Sequence, residues 1–176
     1  MFIPKNAEKV IEMLASNGFD AYFVGGAVRD SLMNREVFDY DICTSAKPLE
    51  VQKLFDEKFY VVPTGLKHGT VTVVIENQSF EVTTFRTDGF YNDNRHPENV
   101  SFVANIDEDL KRRDFTMNAI AYNRNGYYDI FGGIEDIKEK RIKCVGNPTT
   151  RFNEDALRIM RAIRFASTLN FSIDEE

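Results

Sequence analysis

The sequence predicts a mixed α/β (α+β) fold, with a mainly antiparallel five-stranded sheet and flanking helices, on three observations. Short β-branched and aromatic runs recur at residues 21–24, 60–63, 71–75 and 80–85. Segments of helical period lie around them, at 5–17, 48–55 and after Pro148. Gly25-Gly26 joins the first apolar run directly to a helical segment over 27–33. With 43% hydrophobic and 28% charged residues in 176, the chain can build one core, or one core and a short appendage. Fifteen phenylalanines and no tryptophan make that core aromatic.

In order, residues 5–17 form an amphipathic helix with Val10, Ile11 and Leu14 on one face and a stop at Gly18. Ala21-Tyr22-Phe23-Val24 is a buried strand, and a second strand carries Asp39-Tyr40-Asp41. Pro48 opens a helix through Phe55, followed by a strand from Tyr60 to Pro63. The runs 71–75 and 80–85 pair as a hairpin through Glu76-Asn77-Gln78-Ser79. Residues 87–99 are dense in turn formers without periodicity and read as a loop that is a candidate moving part. A helix from Asp107, a turn at Asn125-Gly126 and a return strand follow. Pro148 introduces a last long helix, with Asn153 as its cap and Leu157, Met160, Ile163 and Leu169 on its apolar face.

Composition excludes several classes. No signal or transit peptide and no membrane-length apolar run is present, so a cytoplasmic protein with no membrane partner is expected. Cys43 and Cys144 match no zinc spacing and read as reduced structural thiols. A net charge of −6 argues against a general nucleic-acid coat protein. The cations nevertheless cluster late in the chain, at Lys111-Arg112-Arg113, from Lys138 to Lys143, and at Arg158, Arg161 and Arg164. These are either solvated helix faces or the phosphate-touching end of a nucleotide enzyme.

Gly25 and Gly26 remove Cβ where backbone amides and a helix start could receive a triphosphate, and Arg29 adds a planar cation in the same turn. Downstream, strand alternation leaves Asp39 and Asp41 on one face, close enough to share Mg²⁺, a hard ion that takes its remaining ligands from water and phosphate. Glu81 stands on a mostly apolar strand, either facing water at an edge or serving as a third carboxylate beside the first two. Arg112-Arg113-Asp114 and Asn118 are either a surface ion-pair cluster or phosphate donors beside ribose acceptors.

Asp155 and Arg158, three apart, share a helix face. They form either an ordinary intrahelical salt bridge or a reader of nucleobases. Asp only accepts and Arg only donates, so the pair matches the amino group and ring nitrogen of cytosine or adenine and refuses guanine and uracil.

In this order, the motifs closely resemble the head and the start of the neck of class II CCA-adding enzymes, bacterial-type tRNA nucleotidyltransferases with a polymerase β-like head. The resemblance covers essentially the whole chain. It implies that Asp39, Asp41 and Glu81 are catalytic, with Asp39 and Asp41 the metal ligands, and that Asp114 contacts the sugar. It implies that Asp155 and Arg158 read the base with Glu154 orienting them, and it places Arg161 among the nucleotide-binding residues with Gly25, Gly26, Arg29, Arg112, Arg113 and Asn118. CTP, ATP and the 3′ end of tRNA are the implied partners and Mg²⁺ the implied cofactor.

Bacterial poly(A) polymerases share much of such a head. The run Pro63-Thr64-Gly65-Leu66-Lys67-His68-Gly69-Thr70, in place of their Arg- and Phe-rich segment, favours the tRNA enzyme. Arg95 and Glu98, in a full flexible loop, favour complete CCA addition over a CC-adding relative. Residues 1–146 are expected to be the head and 147–176 the start of a helical neck, in a truncated chain lacking body and tail. A nucleotide-binding module without turnover is the alternative.

Overall fold

In the computed structural model, which describes residues 1–89 and 99–175, helix α1 (Lys5–Ser16) leads into β1 (Ala21–Val24), α2 (Gly26–Leu32), β2 (Ile42–Thr44) and α3 (Pro48–Asp56). The strands β3 (Tyr60–Gly65), β4 (Thr70–Ile75) and β5 (Gln78–Thr84) follow, then a ribbon of β6 (Arg86–Asp88) with β7 (Val100–Phe102), and α4 (Ile106–Lys111). The chain ends with the hairpin β8 (Ala121–Asn123) and β9 (Gly126–Tyr128), then α5 (Gly133–Lys138), β10 (Arg141–Ile142), α6 (Pro148–Glu154), α7 (Leu157–Leu169) and β11 (Ser172–Ile173).

Among the described residues the main sheet runs β3-β4-β5-β2-β1-β8-β9, antiparallel throughout except where β2 lies parallel to β5. It has seven strands where five were expected. The β8–β9 hairpin, paired to β1 through Val24 and Ala121, joins the sheet on the side away from β2. The return strand expected at the Asn125-Gly126 turn is β9, whereas its three-residue partner β8 carries too little alternation to be counted from sequence. The loop read at 87–99 begins within β6 and leads into β7 at Val100, and residues 90–98 lie outside the described residues.

Alternation across β1 and β2 divides the interior into two layers. Phe23 and Ile42 join Val10, Leu14, Val28, Phe55 and Val82 on one face, whereas Val24 and Cys43 join Phe85, Leu110, Ala121 and Val145 on the other. Each large apolar side chain fully buried there contributes about 1.5–3 kcal/mol, so packing rather than the propensity of such short strands holds the sheet. Cys43 and Cys144 are both buried free thiols, as expected.

The long helix expected after Pro148 is broken. Asp155 is extended (φ −141°, ψ 103°) and its carboxylate accepts the Leu157 N–H at 2.9 Å, so it ends α6 and starts α7. A short acceptor side chain satisfies a new helix start better than it continues an old helix. Asn147, not Asn153, caps α6 by accepting the Thr150 N–H at 3.0 Å. The packed face of α7 also differs from the expected one. Arg158, Ala162 and Phe165 are buried, while Leu157, Met160 and Ile163 are 44%, 62% and 53% exposed. Phe165 meets Phe115 edge-on, ring centroids 5.9 Å apart, and that contact sets which side of α7 faces the sheet layer. No helix among the described residues is long and apolar enough to cross a membrane.

Candidate active site

Gly25 turns the chain from β1 into α2 with φ +67° and ψ −134°, a conformation that a side chain would strain. The first amides of α2, as at any helix start, have no intrahelical acceptor. A Cβ on Gly25 would stand 3.5 Å from Arg113 Nη1 and 3.8 Å from Asp41 Oδ2. The bare glycine thus keeps open the point where cradle, carboxylate and guanidinium meet.

Asp39-Tyr40-Asp41 forms an extended segment just ahead of β2 rather than within it. The Asp41 carbonyl still accepts the Val24 N–H at 3.1 Å, and Tyr40 is buried edge-on against Phe23. Both carboxylates therefore turn outward, and both residues are exposed. In the parallel ladder Ile42 pairs with Val82, which puts Asp41 and Glu81 one step earlier on the same face. Desolvation in the cleft, followed by the Glu81 charge and with Asp39 adding, raises the Asp41 carboxyl above its ordinary value against the pull of Arg113. The three carboxylates nonetheless do not form a metal-binding set among the described residues, so Glu81 stands beside the Asp pair without completing it.

Arg112 and Arg113 both fold back onto Asp109, one turn earlier on α4. Asp109 Oδ1 accepts Arg112 Nε and Nη2 at 3.0 and 2.8 Å, and its Oδ2 accepts Arg113 Nη2 at 3.0 Å. Burial alone would raise this carboxyl, but Arg113 and Arg112 with their hydrogen bonds hold it below the ordinary range. The second oxygen of each carboxylate matters again at Asp114. Its Oδ1 accepts the Phe115 N–H and Asn118 Nδ2 at 2.8 and 3.1 Å, and its Oδ2 accepts Arg161 Nε at 2.7 Å.

Arg29, expected at the phosphates, is largely committed elsewhere. Its Nε and Nη2 pair with Asp30 at 2.9 Å, its Nη1 donates to Asn118 Oδ1 at 2.8 Å, and its guanidinium lies 5.0 Å from the Phe165 ring centroid. It ties α2 to the Asp114 segment while lining the cavity wall. Because the last helix breaks, Asp155 and Arg158 do not share a helix face, yet both line the same cavity. Arg158 pairs with Glu154, Nη1 to Oε2 at 2.7 Å, and Glu154 also accepts Arg151 Nη1 at 2.8 Å.

That cavity has a volume of about 600 Å³ and brings together Gly25, Gly26, Asp41, Arg112, Arg113, Asp114, Asn118, Asp155, Arg158 and Arg161. Asp39, Glu81 and Glu154 stand outside its lining. Among the described residues its wall holds seven arginines and four aspartates, an excess of three positive charges in a chain of net charge −6. Such a wall suits a polyanion. Arg95 and Glu98 lie outside the described residues.

Residues 21–143 match the poly A polymerase head domain. The chain belongs to that family. This head-domain chain is 53% identical over 171 residues to the CCA-adding enzyme of Lactobacillus helveticus, covering 97% of this chain and 42% of that protein. It is 55% identical over 173 residues to the CCA-adding enzyme of Bacillus cytotoxicus, at 98% and 43% coverage. Its fold superposes with a TM-score of 0.89 and 47% identity on the CCA-adding enzyme of Bacillus stearothermophilus in complex with CTP, covering 99% of this chain and 42% of the other. A tRNA nucleotidyltransferase complexed with a primer tRNA and an incoming ATP analog gives a TM-score of 0.74 and 34% identity, at 94% and 46% coverage. The head-domain chain thus spans less than half the length of these relatives.

Three residues of the head-domain site escape a motif reading. Asp109 immediately precedes the run that begins at Leu110, and its spacing to Arg112 and Arg113, three and four residues on one helical turn, was the available signal. Arg86 and Asp88 on β6 also line the cavity, and Asp88 Oδ2 stands 3.8 Å from Arg112 Nη1. Nothing local marks them, because the ribbon that places them runs into residues read as loop.

Proposed function

We propose that this chain is the catalytic head of a template-independent nucleotidyltransferase that transfers CMP and AMP from CTP and ATP to the 3′ end of tRNA, building or repairing CCA. One observation carries the reading: a single arginine-rich cavity holds Gly25 and Asp41 together with Asp155 and Arg158. The names of the relatives, and the CTP and primer tRNA bound in two of their structures, support it. We assign residues 1–146 to the head and 147–176 to the start of a helical neck.

In this reading the 3′ oxygen of the RNA bonds the α-phosphorus, the bond to the β-phosphate oxygen breaks, and pyrophosphate leaves. The arginine wall binds and neutralises the triphosphate, Asp114 and Asn118 receive the ribose, and Asp155 accepts the amino group of cytosine or adenine. Arg158, oriented by Glu154, donates to the ring nitrogen; guanine and uracil present the opposite polarity. No lysine or arginine among the described residues ion-pairs with Asp39 or Asp41, and two outward carboxylates of this kind fit Mg²⁺, with Glu81 as an outer neighbour. When bound, the ion lowers the pKa of the attacking hydroxyl and offsets phosphate charge. The protein's own share is positioning and electrostatic stabilisation.

The test is incorporation of each labelled nucleotide, with Mg²⁺, into tRNA ending before its CCA, using this chain and a form extended to the relatives' length. Sequential C, C and A addition by the extended form supports the assignment, and activity confined to that form marks the chain as its nucleotide-binding head. Repeated A addition to unrelated RNA would move it to poly(A) synthesis.

A further inference from the structure

Asp109 has no exposed surface and does not line the cavity, yet it accepts three hydrogen bonds from two arginines that do. A fourth, from the Arg86 backbone N–H to Oδ1 at 3.3 Å, brings the start of β6 to the same carboxylate. We propose that Asp109 is a positioning residue for triphosphate binding, holding Arg113 at the Gly25 junction and Arg112 beside Asp88. The inference rests on the nucleotidyltransferase reading of the site.

The geometry separates the two ends of Arg113. Nη2 is held by Asp109, while Nη1 points to within 3.5 Å of where a Gly25 Cβ would sit, next to the Asp41 carboxylate. An arginine held on one edge by a buried anion keeps its other edge fixed in space, and a fixed donor loses less entropy when a phosphate arrives. Arg112 is held in the same way, with two donors on Asp109 Oδ1 and Nη1 toward Asp88. Asp109 thus acts on the phosphate end of the nucleotide mainly through these two guanidinium groups, with the Arg86 amide as a further contact.

The test compares CTP with CMP, because a defect in aim weakens triphosphate binding selectively whereas a general defect in the fold weakens both. Equilibrium binding of each ligand to this chain is measured with Mg²⁺ for the wild type and for Asp109→Asn. The expected result is a wild-type preference for CTP over CMP that shrinks about tenfold in Asp109→Asn, the scale of one misplaced charge-assisted hydrogen bond. Equal loss for both ligands, or no loss, would overturn the inference. If Asp109→Asn does not fold, Arg113→Lys decides: it retains the charge and Asp109 but lacks the planar fork, and it should lose the same preference. An unchanged preference in Arg113→Lys overturns the inference. A wild-type chain with no preference for CTP would instead overturn the nucleotidyltransferase reading itself.

Discussion

Arg161 Nε donates to Asp114 Oδ2 at 2.7 Å, fastening α7 to a segment 47 residues earlier in the chain. The same Asp114 accepts from Asn118, and Asn118 accepts from Arg29 on the cradle helix. Helix α2, the Asp114 carboxylate and α7 therefore share one hydrogen-bonded relay, and all three reach the cavity wall.

Asn118→Ala breaks that relay in its interior and leaves a buried Arg29 donor unmatched, at an expected cost of about 1–3 kcal/mol. Arg161→Ala acts at the exposed end, where Arg161 keeps 44% side-chain exposure and solvent screens the pair, so under about 1 kcal/mol is expected. Urea unfolding of the two variants checks the order, and equal losses would contradict it.

Gly25→Ala forces a side chain into φ +67° and ψ −134°, at an expected cost of about 1–3 kcal/mol. It also places a methyl group between Arg113 and Asp41, so CTP affinity should fall in the fraction that remains folded. Thermal unfolding together with CTP titration separates the two effects.

Asp155 caps the start of α7 and, in the proposed reading, also accepts from the base, and different substitutions separate the two. Asp155→Ala removes the Leu157 cap and should cost about 1 kcal/mol, whereas Asp155→Asn keeps an acceptor oxygen for the cap and should cost far less. Both should weaken selection of CTP and ATP over GTP and UTP, because alanine offers no acceptor and the amide of asparagine no longer offers acceptors alone. Intact selectivity in Asp155→Asn would remove it as a reader of the base.

The Asp155 break also shows where sequence reading stops. Period two made the outward turn of Asp39 and Asp41 legible, since Tyr40 had to be buried between them. The nearness of Glu81 was not legible, because it depends on β2 pairing in parallel with β5, a long-range choice that no local pattern encodes. The apolar stripe of α7 was visible, yet Phe115 and the relay at Asp114 determine which face packs. The glycines beside Arg29 signalled its place at the cavity wall, but its bonds to Asp30 and Asn118 were not marked, since Asn118 reaches it only in the folded chain.

Asp41 makes stability depend on pH in a definite sense. Its folded carboxyl is raised above the ordinary value, so its contribution to stability is fully present below that value and is lost as pH rises through the raised one. At neutral pH and without divalent cations, Asp41→Asn should therefore melt modestly higher than the wild type, by less than about 4 °C. The gap should vanish in acid, and Mg²⁺ should stabilise the wild type alone. A variant that melts lower at neutral pH would contradict this.

In the proposed function, one cavity binds a nucleoside triphosphate and selects it with protein side chains. Equilibrium binding of CTP, ATP, GTP and UTP to this chain with Mg²⁺ tests it most directly. CTP and ATP should bind at least about tenfold more tightly than GTP and UTP, a difference of roughly 1.4 kcal/mol. Equal affinity for all four, or binding of none, would rule out selection by this cavity.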